Sequence, residues 1–291
     1  MKAPPFSYVR PASLNEVFQQ WSSEGADATL LAGGQTLLAA LAFRLSAPTV
    51  LIDISRIAEL RGITEQAGLV RVGALTTHAE LGASDVVRRH VPLLAEAVPL
   101  IAHAAIRNRG TIGGSLAFAD PAAELPACCV ALDATILARS ATEERRIPAA
   151  EFFTGLYATA LRPYELIASV DFPVAKSGER STIIELVRRS GDYAMAGIVA
   201  KAKIAGTTLV APRLVLFGVG EGPVTAARAM ALVGGKQAMP ETIAAAQEAL
   251  DADLDPPADQ HGSRDMKRHL ARVLLARALG RLAGQGERRT A

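Results

Sequence analysis

Two glycine-rich segments carry the residues best suited to hold a phosphorylated ligand. The first is Leu31-Ala32-Gly33-Gly34-Gln35-Thr36-Leu37, set between an apolar strand pattern and a helical one. Glycine lets backbone approach a bulky anion, and a helix start offers unpaired N–H groups at the positive end of its dipole. Gln35 and Thr36 add side-chain donors, although an ordinary tight strand-to-helix turn has the same spelling. The second is Arg107-Asn108-Arg109-Gly110-Thr111-Ile112-Gly113-Gly114-Ser115, again with small and hydroxylated residues around glycines. Its two arginines either meet a phosphate directly or hold the loop in shape. The pair suggests one extended diphosphate gripped from both sides. A third segment, Arg188-Arg189-Ser190-Gly191-Asp192-Tyr193-Ala194, presents a tyrosine in a glycine-containing turn. That ring either stacks on a flat ligand or lies half-buried with its hydroxyl bonded.

Other chemistries are excluded by spacing. No strand feeds a Gly-x-Gly-x-x-Gly turn, and Gly218-Val219-Gly220-Glu221-Gly222 has the wrong interval. Gly235-Lys236 lacks the upstream glycine of a phosphate-binding P-loop, since Met230 stands there. The five histidines show no zinc-ligand spacing: His78 lies in a capping box, and His261 and His269 lie in a polar tail. The two cysteines, Cys128 and Cys129, are adjacent, so this chain alone builds no disulfide scaffold, zinc site or iron–sulfur cluster. They read as small buried residues in a reduced, cytoplasmic protein. A net charge of +2 gives no field for nucleic acid, and 13 aromatic residues in 291 are too few for base-stacking platforms. The longest uncharged stretch, residues 28–43, contains Gly33, Gly34, Gln35 and Thr36 and is too broken to span a membrane.

The elements that must position these loops follow from periodicity. Ser13 and Glu16 have capping-box spacing ahead of a helix with Leu14, Val17, Phe18 and Trp21 on one face. Thr29–Leu31, a helix over 36–45 and a buried strand over 49–54 make a strand–turn–helix–strand unit. Further on, 69–73, 135–138 and 166–172 read as strands, Thr77-His78-Ala79-Glu80 as a second capping box, and 91–105 as a helix interrupted by Pro92 and Pro99. Pro173–Arg180 is the best domain boundary. Beyond it, 181–187, 194–204 and 209–219 suggest an antiparallel meander. Helices follow over 225–232, 241–250 and 263–282. The last is expected to bury Met266, Leu270, Val273 and Leu274 and to present Arg264, Lys267, Arg268, Arg272 and Arg281 elsewhere.

The three motifs in this order, with Ala119-Asp120-Pro121-Ala122-Ala123-Glu124-Leu125 between the second and third, resemble the flavin-binding medium subunit of the molybdenum hydroxylases. That family includes carbon monoxide dehydrogenase and xanthine dehydrogenase flavoproteins. The resemblance covers essentially the whole chain. It implies an α+β fold: an FAD-binding domain over 1–175, in subdomains of about 1–55 and 56–175, and a C-terminal domain over 176–291 with a three-stranded antiparallel sheet and helices. It also implies that Ala32, Gly33, Gly34, Gln35, Thr36 and Leu37, with Thr111, Ile112, Gly113, Gly114 and Ser115, hold the FAD diphosphate. Glu124 and Ile167 would approach the cofactor, and Tyr193 would lie beside its ring. Gln35 and Thr36 stand where some relatives have His and Ser, and Ile184 falls near a flavin-directed lysine of xanthine dehydrogenases, so neither role carries over.

The function implied is electron transfer. A large subunit would carry a molybdenum cofactor and a small one two [2Fe-2S] clusters, the whole being a dimer of heterotrimers. FAD here would take the electrons and pass them to an external acceptor, with no catalytic side chain and no metal in this chain. The substrate stays open among purines, N-heterocycles, aldehydes and carbon monoxide. Two alternatives are a self-sufficient flavin oxidoreductase, which would be active when purified alone, and a non-catalytic assembly protein, which would show no flavin spectrum.

Overall fold

The computed structural model describes residues 2–260 and 262–284, so His261 lies outside the described residues. Three strands open the chain, β1 (Ser7–Val9), β2 (Ala28–Leu31) and β3 (Val50–Asp53), as a parallel sheet in the order β1-β3-β2. Helices α1 (Leu14–Glu24) and α2 (Leu37–Ala42) occupy the connections. Ser13 caps α1 by accepting from the Glu16 N–H, and Leu14, Val17 and Phe18 bury its inner face. The return bond comes one residue early, since Glu16 accepts from the Ala12 N–H at 2.8 Å. Asp53, at the end of β3, is buried and accepts from the Tyr8 hydroxyl, Arg10 Nε and the Ser55 N–H. These donors hold its carboxyl below the usual carboxylate range and tie the ends of β1 and β3 together.

The second sheet is antiparallel. Its strands are β4 (Ile63–Gln66), β5 (Leu69–Gly73), then β6 (Thr135–Arg139) and β7 (Glu144–Pro148). Between β5 and β6 run α3 (His78–Ala83), α4 (Asp85–His90), α5 (Pro92–Ala97), α6 (Ala104–Arg107), α7 (Ile112–Phe118) and α8 (Glu124–Ala131). After β7 come α9 (Ala149–Phe152), a hairpin of β8 (Phe153–Gly155) and β9 (Ala158–Thr159), and β10 (Leu166–Pro173). Strand β10 enters the sheet centre, giving β4-β5-β10-β6-β7. Thr77 caps α3 in a full reciprocal box with Glu80. The helix expected over 91–105 breaks into α5, a short 3₁₀ turn and α6. Pro99 removes a donor within that segment, and Ala102 adopts φ +41° between the pieces.

The C-terminal sheet holds three long antiparallel strands, β11 (Glu179–Leu186), β12 (Ala196–Ala205) and β13 (Thr208–Phe217), plus two-residue strands β14 (Val224–Thr225) and β15 (Lys236–Gln237). One face packs on α10 (Ala227–Val233), α11 (Pro240–Leu250) and α12 (Arg264–Leu282) through Ile184, Ile198, Leu216, Leu274 and Leu275. The other face, with Ile183, Val199, Val215 and Phe217, joins the core of the second sheet. Strand β11 is therefore packed on both sides around Ile183 and Ile184.

The face of α12 differs from the sequence expectation. Its buried residues are Lys267, Ala271, Leu274, Leu275, Ala278, Leu279 and Leu282, while Met266 is half exposed. Lys267 enters the interior because Asp259 meets its ammonium at 2.6 Å. No helix among the described residues is long and apolar enough to cross a membrane.

Candidate functional site

The two glycine loops are in direct contact. A Cβ on Gly33 would overlap the Arg109 carbonyl oxygen and stand 2.8 Å from its carbonyl carbon and 3.0 Å from Gly110 Cα. Gly34 turns the chain at φ +72° into α2. Its carbonyl accepts from the Leu38 N–H, the Thr36 carbonyl from the Ala40 N–H, and the Gly33 carbonyl from Gln35 Nε2 at 3.0 Å. The Gln35 amide is thus turned onto its own loop. Thr36 stands at the N-cap of α2 without capping it through its side chain. Ala32 is partly buried against the core of the first sheet, and Leu37 opens α2.

In the second loop the glycines do different work. Thr111 caps α7 by accepting from the Gly114 N–H, and the Ile112 and Gly113 N–H groups donate to the Thr76 and Ala74 carbonyls. The Ser115 N–H donates to the Thr111 carbonyl. All four amides are therefore engaged within the chain. A Cβ on Gly113 would stand 2.6 Å from Ala74 Cβ, so this glycine lets α7 press on the turn after β5. Gly114 differs: only the Thr111 hydroxyl lies within reach of a Cβ there, at 3.0 Å. A glycine inside a helix costs about 1 kcal/mol relative to alanine. At Gly113 protein packing accounts for it; at Gly114 no protein atom other than the Thr111 hydroxyl comes that close.

Arg107 does not reach toward that space. Its Nη1 donates to the Ile101 and Ala102 carbonyls, both at 2.8 Å. Gly191, at φ +86°, packs against that same Ala102 carbonyl, where a Cβ would stand 3.1 Å from the oxygen. The first motif thus touches the second through Gly33 and Arg109, and the second is linked to the third through Arg107, Ala102 and Gly191. Tyr193 is 58% exposed and, with Arg188, Asp192 and Gln260, lines a cavity of about 260 Å³. A larger cavity of about 510 Å³, lined by His90, Asp133, Lys201 and Arg213 among others, includes no residue of the three motifs.

Ile167 is 5% exposed in the core beside a bulge of β10, and the Ala168 carbonyl accepts from the Ala74 N–H. It stands behind the second loop, across the Ala74 turn. Glu124 begins α8, where burial, with the charges of Glu185 and Asp120 nearby, pushes its carboxyl up to about 8. Burial likewise pushes Glu185 up to about 7 and leaves its Oε2 without a hydrogen-bond partner. Glu185 escaped the motif reading because a lone Glu in a strand looks like a solvated residue. His78 is buried, and burial lowers its pKa, so it is held neutral at the start of α3.

A carboxyl whose pKa is raised in the fold keeps its proton there while the unfolded chain releases it. Its contribution is intact below about pH 4.5 and lost as the pH rises through about 8. The cofactor-free chain is therefore expected to lose about 2 kcal/mol over that range, after allowance for solvent at this half-buried site. Glu124→Gln should flatten the slope, as read from urea midpoints at a series of pH values.

The class follows from comparison with known sequences. Residues 4–175 match the FAD binding domain in molybdopterin dehydrogenase, and residues 182–282 match the CO dehydrogenase flavoprotein C-terminal domain. The chain belongs to the FAD-binding subunits of the molybdenum hydroxylases. It is 37% identical over 282 residues, 97% of this chain and 95% of the relative, to the 6-hydroxypseudooxynicotine dehydrogenase complex subunit alpha of Paenarthrobacter nicotinovorans. Among solved structures, carbon monoxide dehydrogenase from Hydrogenophaga pseudoflava superposes with a TM-score of 0.95 at 37% identity, covering 98% of this chain and 99% of that one. Quinoline 2-oxidoreductase from Pseudomonas putida 86 gives 0.92 at 39% identity, covering 98% and 99%.

The residues present fit FAD. The open face of Gly114, the Ser115 hydroxyl beside it, and the N–H side of the first loop, whose bonds noted above end on carbonyls, suit a diphosphate. A half-exposed tyrosine in the third motif suits a flat ring.

Proposed function

We propose that this chain is the electron-transfer flavoprotein subunit of a molybdenum-containing hydroxylase. Its FAD takes electrons from [2Fe-2S] clusters in a small partner subunit and passes them to an external acceptor. A large subunit with the molybdenum cofactor performs the substrate chemistry, in a cytoplasmic dimer of heterotrimers. Residues 32–37 and 111–115 hold the diphosphate, and Glu124, Ile167 and Tyr193 serve the remainder of the cofactor. The observation that carries this reading is the contact of two distant glycine loops, with one glycine face left open. Relatives of similar identity are named for 6-hydroxypseudooxynicotine, carbon monoxide and quinoline, which suits a subunit that does not choose the substrate.

The cofactor supplies the redox chemistry; the chain supplies grip, orientation and a local field. Gly114→Ala is expected to keep the fold, because alanine favours the helix, yet to weaken FAD binding at least tenfold, about 1.4 kcal/mol. Flavin absorbance of the purified protein against its thermal midpoint reads both. Unchanged FAD content would overturn the assignment of the second loop. Turnover of a small substrate by the chain alone, without molybdenum or iron in the preparation, would overturn the subunit reading.

A further inference from the structure

The C-terminal sheet meets the domain of residues 4–175 in packed core along part of one face and in a cavity of about 510 Å³ along the rest. Side chains alternate along strands, so the face that puts Ile183, Val199 and Val215 in the core continues into Ser181, Lys201 and Arg213. Strand β13 carries a bulge there. Lys201 pairs with Arg213 and Lys203 with Val210, so Ala202 alone stands opposite both Ala211 and Pro212. The extra residue brings Val210 and Arg213 onto the same face as the two lysines, and Ala211 within it adopts φ +46°. From the other domain Asp133, in the turn after α8, adopts φ +54° and meets Arg213 Nη2 at 2.8 Å and Lys201 Nζ at 3.6 Å. Two non-glycine residues in the left-handed region thus line one cavity, and residues held in that region gather at ligand sites.

We propose that this cavity is a second binding site, for an organic carboxylate with an apolar body. Its volume is that of a small-molecule pocket, and it lies where such pockets are common, at a junction of domains. Val91, Leu93, Leu132, Val174 and Val210 give it apolar walls. Lys176, Lys201, Lys203 and Arg213 line it with more positive charge than Asp133 and Glu179 balance. Glu179 is moreover turned onto its own loop, where it accepts from the Lys176 N–H at 2.9 Å. Arg213 reaches Asp133 with Nη2, and no other partner holds its fork among the described residues. A planar carboxylate matches the donors that remain, and Ser181, opposite Lys201 in the register, adds a hydroxyl. The site stands apart from the three motifs. Ser181 and Leu186, at opposite ends of β11, are separated by about 17 Å of extended strand, and the segment that leads to Tyr193 leaves from Leu186.

The test is isothermal titration of the full chain with 2-naphthoate, in excess FAD so that the flavin site is filled. Wild type should bind naphthoate saturably, with a Kd below about 1 mM. The neutral isostere 2-naphthamide, and acetate, which lacks the apolar body, should each bind at least about tenfold more weakly. Arg213→Gln should weaken naphthoate about tenfold and leave FAD content unchanged. Asp133→Asn should strengthen it about threefold, because it removes the competing carboxylate and asparagine tolerates the left-handed backbone. An ion pair that served the fold alone would give no such gain. Should Arg213→Gln fail to fold, Lys203→Gln takes its place, with weaker binding expected. No saturable heat from wild type, equal affinity for naphthoate and naphthamide, or wild-type affinity in any of these folded variants would overturn the proposal. The FAD assignment is read separately, from flavin absorbance.

Discussion

An alanine at Gly33 is expected to strip the chain of FAD and to lower its stability by about 3 kcal/mol, the upper end of the usual cost of overpacking. The reason is not the ligand. The added methyl would overlap the Arg109 carbonyl oxygen, and neither backbone has a flexible side chain that could move aside. Relief requires the two loops to separate, which opens the cradle on which the diphosphate depends. The comparison that isolates this cause is Gly33→Ala beside Gly114→Ala. The first should lower the thermal midpoint and FAD content together; the second should lower FAD content alone. A Gly33→Ala protein with wild-type stability and full flavin absorbance would mean that the loops do not touch as described.

Gly197→Ala should be comparably damaging in the C-terminal sheet. Its Cβ would fall within the ring of Phe217, which is fully buried. Glycine in the middle of a strand ordinarily weakens it; here it is the recess that lets a phenyl ring lie flat across β12. The expected loss is about 3 kcal/mol in urea unfolding. Phe217→Leu in the same chain should recover part of it, because a smaller side chain vacates the recess. That non-additivity is the signature of direct contact. If the double variant is as unstable as the sum of the singles, the ring and the glycine are not the pair inferred here.

The local backbone of the three motifs was legible in the sequence because glycine and threonine in short runs constrain it strongly. The strand–turn–helix–strand unit around Gly33 and the capping box at Thr77 are local matters, and their periodicity and spacing announce them. What stayed illegible depends on segments meeting across the fold. Gly33 and Gly113 look like ligand-facing glycines, yet each is required by a protein neighbour, Arg109 in one case and Ala74 in the other. Arg107 could equally have met a phosphate until the Ile101 and Ala102 carbonyls appeared beside it. In α12, Lys267 reads as a solvated charge because nothing local reveals Asp259. Glu185 was hidden for a related reason. Where a strand is packed on both sides, as β11 is around Ile183 and Ile184, polar and apolar alternation along it loses its usual meaning.

The two cysteines of α8 acquire a consequence from where that helix lies. Helix α8 is covered on nearly all sides, and burial, reinforced by neighbouring acidic groups, holds the Cys128 thiol far above its ordinary value, with Cys129 also raised by burial. Oxidation of cysteine starts from the thiolate and from access to the oxidant. Both conditions fail here, one helical turn from Glu124. The chain can carry a redox cofactor without those two sulfur atoms joining the electron traffic. A covered helix serves as insulation.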